Sequence, residues 1–171
     1  MMRLHPPLGR SATTAGAAAA AALAALLLSG AHCGPEQVVL LEISDSFDPA
    51  TPFSALPASG ATMELRQGLQ GAVMVAPGLR VTGVDGATSG RVVVTAILDG
   101  VEIADADVPL TELARPGDGA AYDYGLFNPL PDGDITAYIG RTATIRAEVI
   151  GGGFAGETSI DVMLVDNETD F

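Results

Sequence analysis

Apolar and polar residues alternate in short segments along most of the chain, and no segment sustains a helical period. Between residues 142 and 150, Ala143, Ile145, Ala147 and Val149 alternate with polar residues, which predicts a strand with one buried face. Other short segments that alternate or are richly apolar predict further strands over residues 38–43, 62–66, 91–98, 101–108 and 158–166.

The firmest local prediction is a hairpin. Asp99-Gly100 is the whole connection between the strands predicted over residues 91–98 and 101–108. A two-residue Asp-Gly loop between apolar strands favours a type I′ turn, because both turn residues need a positive φ.

Longer breaks separate the other strands. The extended stretch over residues 72–84 is interrupted at Pro77-Gly78, which predicts a bulge or a switch between sheets. Loops at residues 116–119 and 128–134 flank a tyrosine-rich stretch over residues 121–127. We expect these loops to lie at the open end of the fold.

Seven or eight short strands with turn signals about every ten residues predict an all-β domain. The preferred architecture is an immunoglobulin-like, two-sheet antiparallel sandwich of 7–8 strands. The chain has no tryptophan and one cysteine, so the Cys-Trp-Cys framework of antibody domains is absent, and another Greek-key sandwich or a small barrel remains the alternative.

The front of the chain has the pattern of a secretory signal peptide. Arg3 and Arg10 precede an unbroken apolar run over residues 15–28. A helical membrane span needs about 20 apolar residues, so a permanent transmembrane anchor is disfavoured. The expected organisation is a signal peptide (residues 1–32), a tether (33–37), a β-sandwich domain (38–166) and a frayed tail (167–171).

The single cysteine, Cys33, follows Leu28-Ser29-Gly30-Ala31-His32, and this segment resembles a bacterial lipoprotein signal. In that family a small residue precedes the cysteine and an aliphatic residue stands three positions before it, whereas here those places hold His32 and Gly30. The resemblance implies acylation of Cys33 and anchoring to the outer membrane through the N-terminal lipid. The alternative is cleavage after Ala31, which gives a soluble periplasmic or extracellular protein.

The composition excludes several kinds of catalytic site and metal site. The chain has no lysine, and both histidines, His5 and His32, precede Cys33, so 139 residues after position 32 carry neither side chain. This excludes Ser-His-Asp and Cys-His catalysis, a Schiff-base lysine and histidine metal sites in the mature domain. Six arginines against 21 acidic residues give that part a formal charge of −15, which makes nucleic acid an unsuitable partner.

Carboxylates remain as candidate catalytic groups. Asp105 and Asp107 stand two residues apart on one predicted strand, so they share a face and are the nearest candidates for a glycosidase pair. The preferred interpretation is a solvated edge that blocks pairing with another strand. We therefore expect no enzymatic activity.

Calcium is the candidate cofactor, since it takes hard oxygen ligands from loops. Asp118 and Asp123 lie in or beside one loop, and Asp132 and Asp134 lie in the next. These four residues are the candidate ligands if the two loops converge. The preferred interpretation is turn chemistry, because aspartate and glycine are favoured in turns for backbone reasons.

Tyr122 and Tyr124 alternate along the chain and so are expected to project from the same face. Such a pair can stack on sugar rings or anchor a protein partner. The preferred interpretation is structural packing, with one tyrosine buried and its hydroxyl capping a corner.

The segment from Gly68 to Met74 (GLQGAVM), with Asp99-Gly100-Val101 and Val108-Pro109-Leu110, resembles a group of small bacterial lipoproteins. That group carries Gly-x-Gln-Gly-Gly-x-His before a sandwich-like domain; here Ala72 replaces the second glycine of the pair and Met74 replaces the histidine. The resemblance implies export and a sandwich-like fold over most of residues 38–166, and it implies no activity.

Together these features predict an exported, lipid-anchored envelope protein that serves as a non-enzymatic binding or structural module. Its partner is expected to be a protein or a glycan. A calcium-dependent adhesion-type domain is the alternative, followed by a carboxylate-dependent glycosidase.

Overall fold

The computed structural model describes residues 36–46, 48–68 and 71–166. The predicted signal peptide, Cys33 and the predicted frayed tail lie outside the described residues. Within those ranges the chain is all-β, and its helical structure is one 3-10 turn, Ile135–Ala137. No helix in this part of the chain is long and apolar enough to cross a bilayer.

The described residues form eleven strands in two sheets. The larger sheet has the order β7-β6-β10-β11-β3-β4-β9, with β1 also paired to β11, and the smaller sheet has the order β2-β5-β8. The strands are β1 (Gln37–Val38), β2 (Leu40–Ser44), β3 (Ala61–Gln67), β4 (Val73–Val75), β5 (Gly78–Thr82), β6 (Arg91–Leu98), β7 (Val101–Pro109), β8 (Ala120–Asp123), β9 (Asn128–Pro129), β10 (Thr142–Ile150) and β11 (Phe154–Asp166).

The predicted hairpin is confirmed. Strands β6 and β7 pair antiparallel, and the turn residues Asp99 and Gly100 have φ values of 52° and 77°. The predicted break at Pro77-Gly78 is also confirmed, because β4 lies in the larger sheet and β5 in the smaller one.

Several predicted strands differ from those observed. The strand expected over residues 38–43 is two strands in different sheets, broken at Val39, and Gln37 belongs to β1 rather than to the tether. The loop expected over residues 128–134 contains β9, and the last strand begins at Phe154, four residues earlier than position 158.

An entirely antiparallel arrangement is wrong. Both β1 and β3 run parallel to β11, so the larger sheet is mixed. Strand β11 pairs with β1 at its start and with β3 at its end. Nearly all of β10 pairs with the other side of β11. One 13-residue strand therefore connects segments that are far apart in the chain.

The core contains the inward-facing residues of both sheets. Met63 and Ile145 from the larger sheet and Leu79 and Val81 from the smaller sheet are fully buried in one hydrophobic cluster. Burying each such side chain contributes about 1.5–3 kcal/mol. Because inward and outward positions alternate, this core leaves polar and aromatic residues on the outer face of the smaller sheet.

Candidate functional site

The outer face of the smaller sheet carries a row of three interacting side chains. Glu42 in β2, Arg80 in β5 and Tyr122 in β8 occupy directly opposite positions in the two ladders. The Arg80 guanidinium bonds the Glu42 carboxylate at 2.5 Å, and this contact raises the pKa of Arg80 above its ordinary value. The row is thus fixed by strand register and by an ion pair across two strands.

Three aromatic rings gather at the β8 end of this row. The rings of Tyr122 and Tyr124 are nearly parallel, at 7°, with centroids 6.3 Å apart, as their alternation along the chain leads one to expect. Phe53 lies 6.0 Å from Tyr122 at a tilt of 57°, and the Arg80 guanidinium carbon lies 4.7 Å from the Phe53 centroid. This cation–π contact attracts Arg80 to the face of the Phe53 ring.

Asp118 completes the cluster from the loop before β8. The Tyr122 hydroxyl donates to its carboxylate at 2.5 Å, and the Ala120 main-chain N–H donates at 3.1 Å. The bond from Tyr122 lowers the pKa of Asp118, and the same bond, helped by burial, raises the pKa of Tyr122. Asp118 is therefore ionised and Tyr122 protonated at neutral pH. We call Phe53, Arg80, Asp118, Tyr122 and Tyr124 the tyrosine platform.

Three shallow depressions of about 440, 190 and 230 Å³ lie around the platform and share lining residues. We call them together the trough. Tyr124 lines the first and second, while Asp118 and Tyr122 line the second and third. Arg66 and the exposed ring of Phe127 stand at one end of the trough. Tyr122 is buried, at 8% exposure, so the half-buried rings of Phe53 and Tyr124 supply the accessible aromatic surface beside hydrogen-bond donors and acceptors.

The four aspartates that were candidate calcium ligands serve local turns. Asp118 acts within the platform, and Asp123 accepts a bond from the Gly125 N–H at 2.9 Å. Asp132 accepts from the Asp134 N–H, and Asp134 accepts from the N–H and hydroxyl of Thr136, which lower its pKa. Within residues 36–46, 48–68 and 71–166, no three His, Cys, Asp or Glu residues are grouped to hold a metal ion.

The candidate carboxylate pair lines none of the depressions described above. Asp105 and Asp107 are both exposed on β7, a strand at one end of the larger sheet. Asp107 lies 3.5 Å from the Arg91 guanidinium on the neighbouring strand. Neither residue has the apolar surroundings that keep the general acid of a glycosidase protonated.

Sequence reasoning located the two tyrosines but missed Glu42, Arg80 and Phe53. The alternation Leu79-Arg80-Val81 signals an outward-facing Arg80, but it does not show which residues lie beside it. Those neighbours depend on the pairing of three strands that are distant in the chain. The chain matches no protein-family model and no curated protein sequence.

Proposed function

We propose that this chain is an exported, lipid-anchored envelope protein that binds a neutral glycan on the tyrosine platform, without catalysis. The observation that carries the proposal is the trough itself, in which aromatic rings lie beside a carboxylate and a guanidinium. The C–H face of a sugar ring stacks on an aromatic ring, while its hydroxyl groups bond charged side chains. The platform supplies both kinds of contact over several adjoining depressions, as an extended polymer requires.

Charge supports a neutral ligand. Asp118, Glu42 and Asp48 line the trough against two arginines, and the whole chain has a formal charge of −13. An anionic polymer would meet repulsion from both the trough and the domain. A neutral polysaccharide meets none and still finds acceptors for its hydroxyl groups.

The test of the platform is calorimetric titration of the full chain with hexasaccharides of glucose and of N-acetylglucosamine, beside a galacturonate hexamer. We expect a neutral hexamer to bind more tightly than the anionic one. Tyr124→Ala removes one stacking ring and should weaken that binding about tenfold.

The matched control is Val101→Ala, which shortens an exposed apolar side chain on β7, away from the trough. It should leave the affinity unchanged. Both variants are compared with the parent in thermal melts, so that a loss of folding is recognised. The proposal would be disproved if both variants lost affinity equally. It would also be disproved if the parent chain bound neither neutral hexamer.

The anchoring proposal rests on the resemblance of the segment around Cys33 to a lipoprotein signal. Expressed in a bacterium that processes lipoproteins, the mature chain should begin at Cys33 and carry a diacylglyceryl group. Intact-mass spectrometry measures this, and Cys33→Ser should abolish the added mass. A mature chain that begins at His32 would show ordinary secretion instead.

We further infer an immunoglobulin-like sandwich. The support is the crossing of the chain between sheets at Val39. Strand β1 pairs parallel to the final strand β11 in the larger sheet, and the next strand, β2, belongs to the smaller sheet. Exchange of the first strand between two facing sheets suits a sandwich with Greek-key connections.

A further inference from the structure

Strand β11 has an interrupted edge. On the side away from β10, β1 pairs with Phe154 and Ala155, and β3 pairs with Val162 onward. No strand within the described ranges pairs with the six residues between them, Gly156–Asp161, on that side. The free edge spans about 20 Å at 3.3 Å per residue.

The hydrogen-bonding direction along β11 is fixed by its neighbours. The Leu164 N–H donates to Arg141 on the β10 side, whereas Ala155 accepts from the Val39 N–H on the β1 side. Because these directions alternate, the main-chain N–H and C=O groups of Glu157 and Ser159 point towards the free edge. The edge is thus a template for another main chain.

A groove lies beside this edge on its core side. It has a volume of about 240 Å³ and is lined by Leu41 and Ile43 of β2, Leu56, and Thr158 and Ile160 of β11, among others. Leu56 is held against β2 by its N–H, which donates to Ile43 at 2.8 Å. The groove therefore offers apolar contacts to every second side chain of an added strand. We call it the β11 groove.

The outer side of the same edge has a net negative charge, with three carboxylates beside one cation, Arg146 of β10. Glu157 and Asp161 are exposed there, and Glu148 of β10 is directly opposite Glu157. Asp161 accepts a bond from the Thr144 hydroxyl at 2.6 Å, which holds its carboxylate on this surface. Outward side chains of an added strand would lie beside these carboxylates, where positive charge is favoured.

We propose that the β11 groove binds an extended peptide segment of a partner protein by strand addition, with apolar residues alternating with lysine or arginine. The unpaired main chain supplies the hydrogen bonds, the groove takes the apolar side chains and the acidic surface selects the basic ones. Glu42 lines both the β11 groove and the trough, but the strand-addition proposal rests on the free edge of β11 and not on glycan binding.

The probe is a fluorescein-labelled peptide, acetyl-Lys-Val-Lys-Val-Lys-Val-amide, titrated with the full chain in fluorescence anisotropy. An otherwise identical peptide with glutamate in place of lysine should bind about tenfold more weakly. The double variant Glu157→Lys/Asp161→Lys should reverse that preference. The matched control, Asp85→Lys/Glu112→Lys, makes the same charge change at exposed loop positions and should retain the parent's preference.

A second variant tests strand addition itself. Ser159→Pro removes an N–H that points to the free edge and leaves the hydrogen bonds to β10 intact. The variant should therefore fold, and its affinity for the peptide should fall at least about tenfold. Unchanged affinity in this variant, or equal affinity of the two peptides for the parent chain, would overturn the proposal. The proposal would also be overturned if the parent chain binds no peptide and instead forms a dimer through this edge. Such a dimer would dissociate in the Ser159→Pro variant.

Discussion

Replacing Asn128 by aspartate is expected to destabilise the domain by about 3 kcal/mol or more at pH 7. Asn128 in β9 is fully buried, and its side-chain N–H donates to the carbonyl oxygen of Val94 in β6 at 3.1 Å. Its Oδ1 finds no hydrogen-bond donor among the described residues. Aspartate would replace the donor with an acceptor facing another acceptor, and would place a charge where even a neutral oxygen has no partner.

The loss of stability in the aspartate variant should depend on pH in a defined direction. Burial raises the pKa of the new carboxyl in the folded state above its unfolded value of about 3.9. The folded state then binds more protons than the unfolded state. The loss of unfolding free energy is therefore largest at pH values above the folded pKa, and it decreases as the pH falls towards the unfolded pKa. Urea unfolding between pH 4 and pH 8 measures this slope.

Asn128→Ala is the control, since it removes the same hydrogen bond without adding a charge. It should cost about 1–3 kcal/mol with the pH dependence of the parent. If the aspartate variant were as stable at pH 8 as at pH 4, relative to the parent, the burial of a charge would not be the cause of its instability.

Replacing Gly156 by valine should cost about 3 kcal/mol and lower the midpoint of thermal unfolding by roughly 10 °C. A Cβ atom at this position would lie 2.6 Å from both the Cγ2 and the carbonyl oxygen of Val39. Val39 is held there by its N–H, which donates to Ala155 at 3.0 Å. The clash involves main chain at the crossing between the sheets, so rotation of a side chain cannot relieve it.

Ala155→Val is the matched control for the valine substitution. It adds a β-branched side chain at the neighbouring, half-buried position on the other face of β11, and should change stability by less than about 0.5 kcal/mol. Thermal melts of the two variants followed by circular dichroism compare them. Equal midpoints would show that the approach of Val39 to Gly156 is not a constraint.

The sequence predicts well those parts of the fold that depend on neighbouring residues. The Asp99-Gly100 hairpin needs two turn residues and two flanking strands, and β10 shows its buried face directly through Ala143, Ile145 and Ala147. Both features are local, and both are confirmed.

The crossing at Val39 is different, because the run VVLLEI has no break in its pattern at that point. The chain changes sheets there because Gly156, more than a hundred residues later, leaves room for it. Parallel pairing of β1 and β3 with one strand is likewise a tertiary property. Neither leaves a signal in the residues nearby.

The candidate site divides along the same line. The pattern of Tyr122 and Tyr124 places them on one face, but Arg80 joins them through ladder register and Asp118 through a loop. The turn interpretation that was preferred for the loop aspartates is local, and Asp123 and Asp132 each accept a bond from a main-chain N–H two residues ahead.

The placement of β1 beside the start of β11 has a mechanical consequence. Gln37 is opposite Phe154, and the described chain continues along β11 to Asp166, about 40 Å further on. A force that pulls residue 37 and residue 166 apart would slide β1 and β11 past each other, so that their hydrogen bonds resist in shear rather than opening one at a time. The few hydrogen bonds between β1 and β11 would therefore share a load applied between residues 37 and 166.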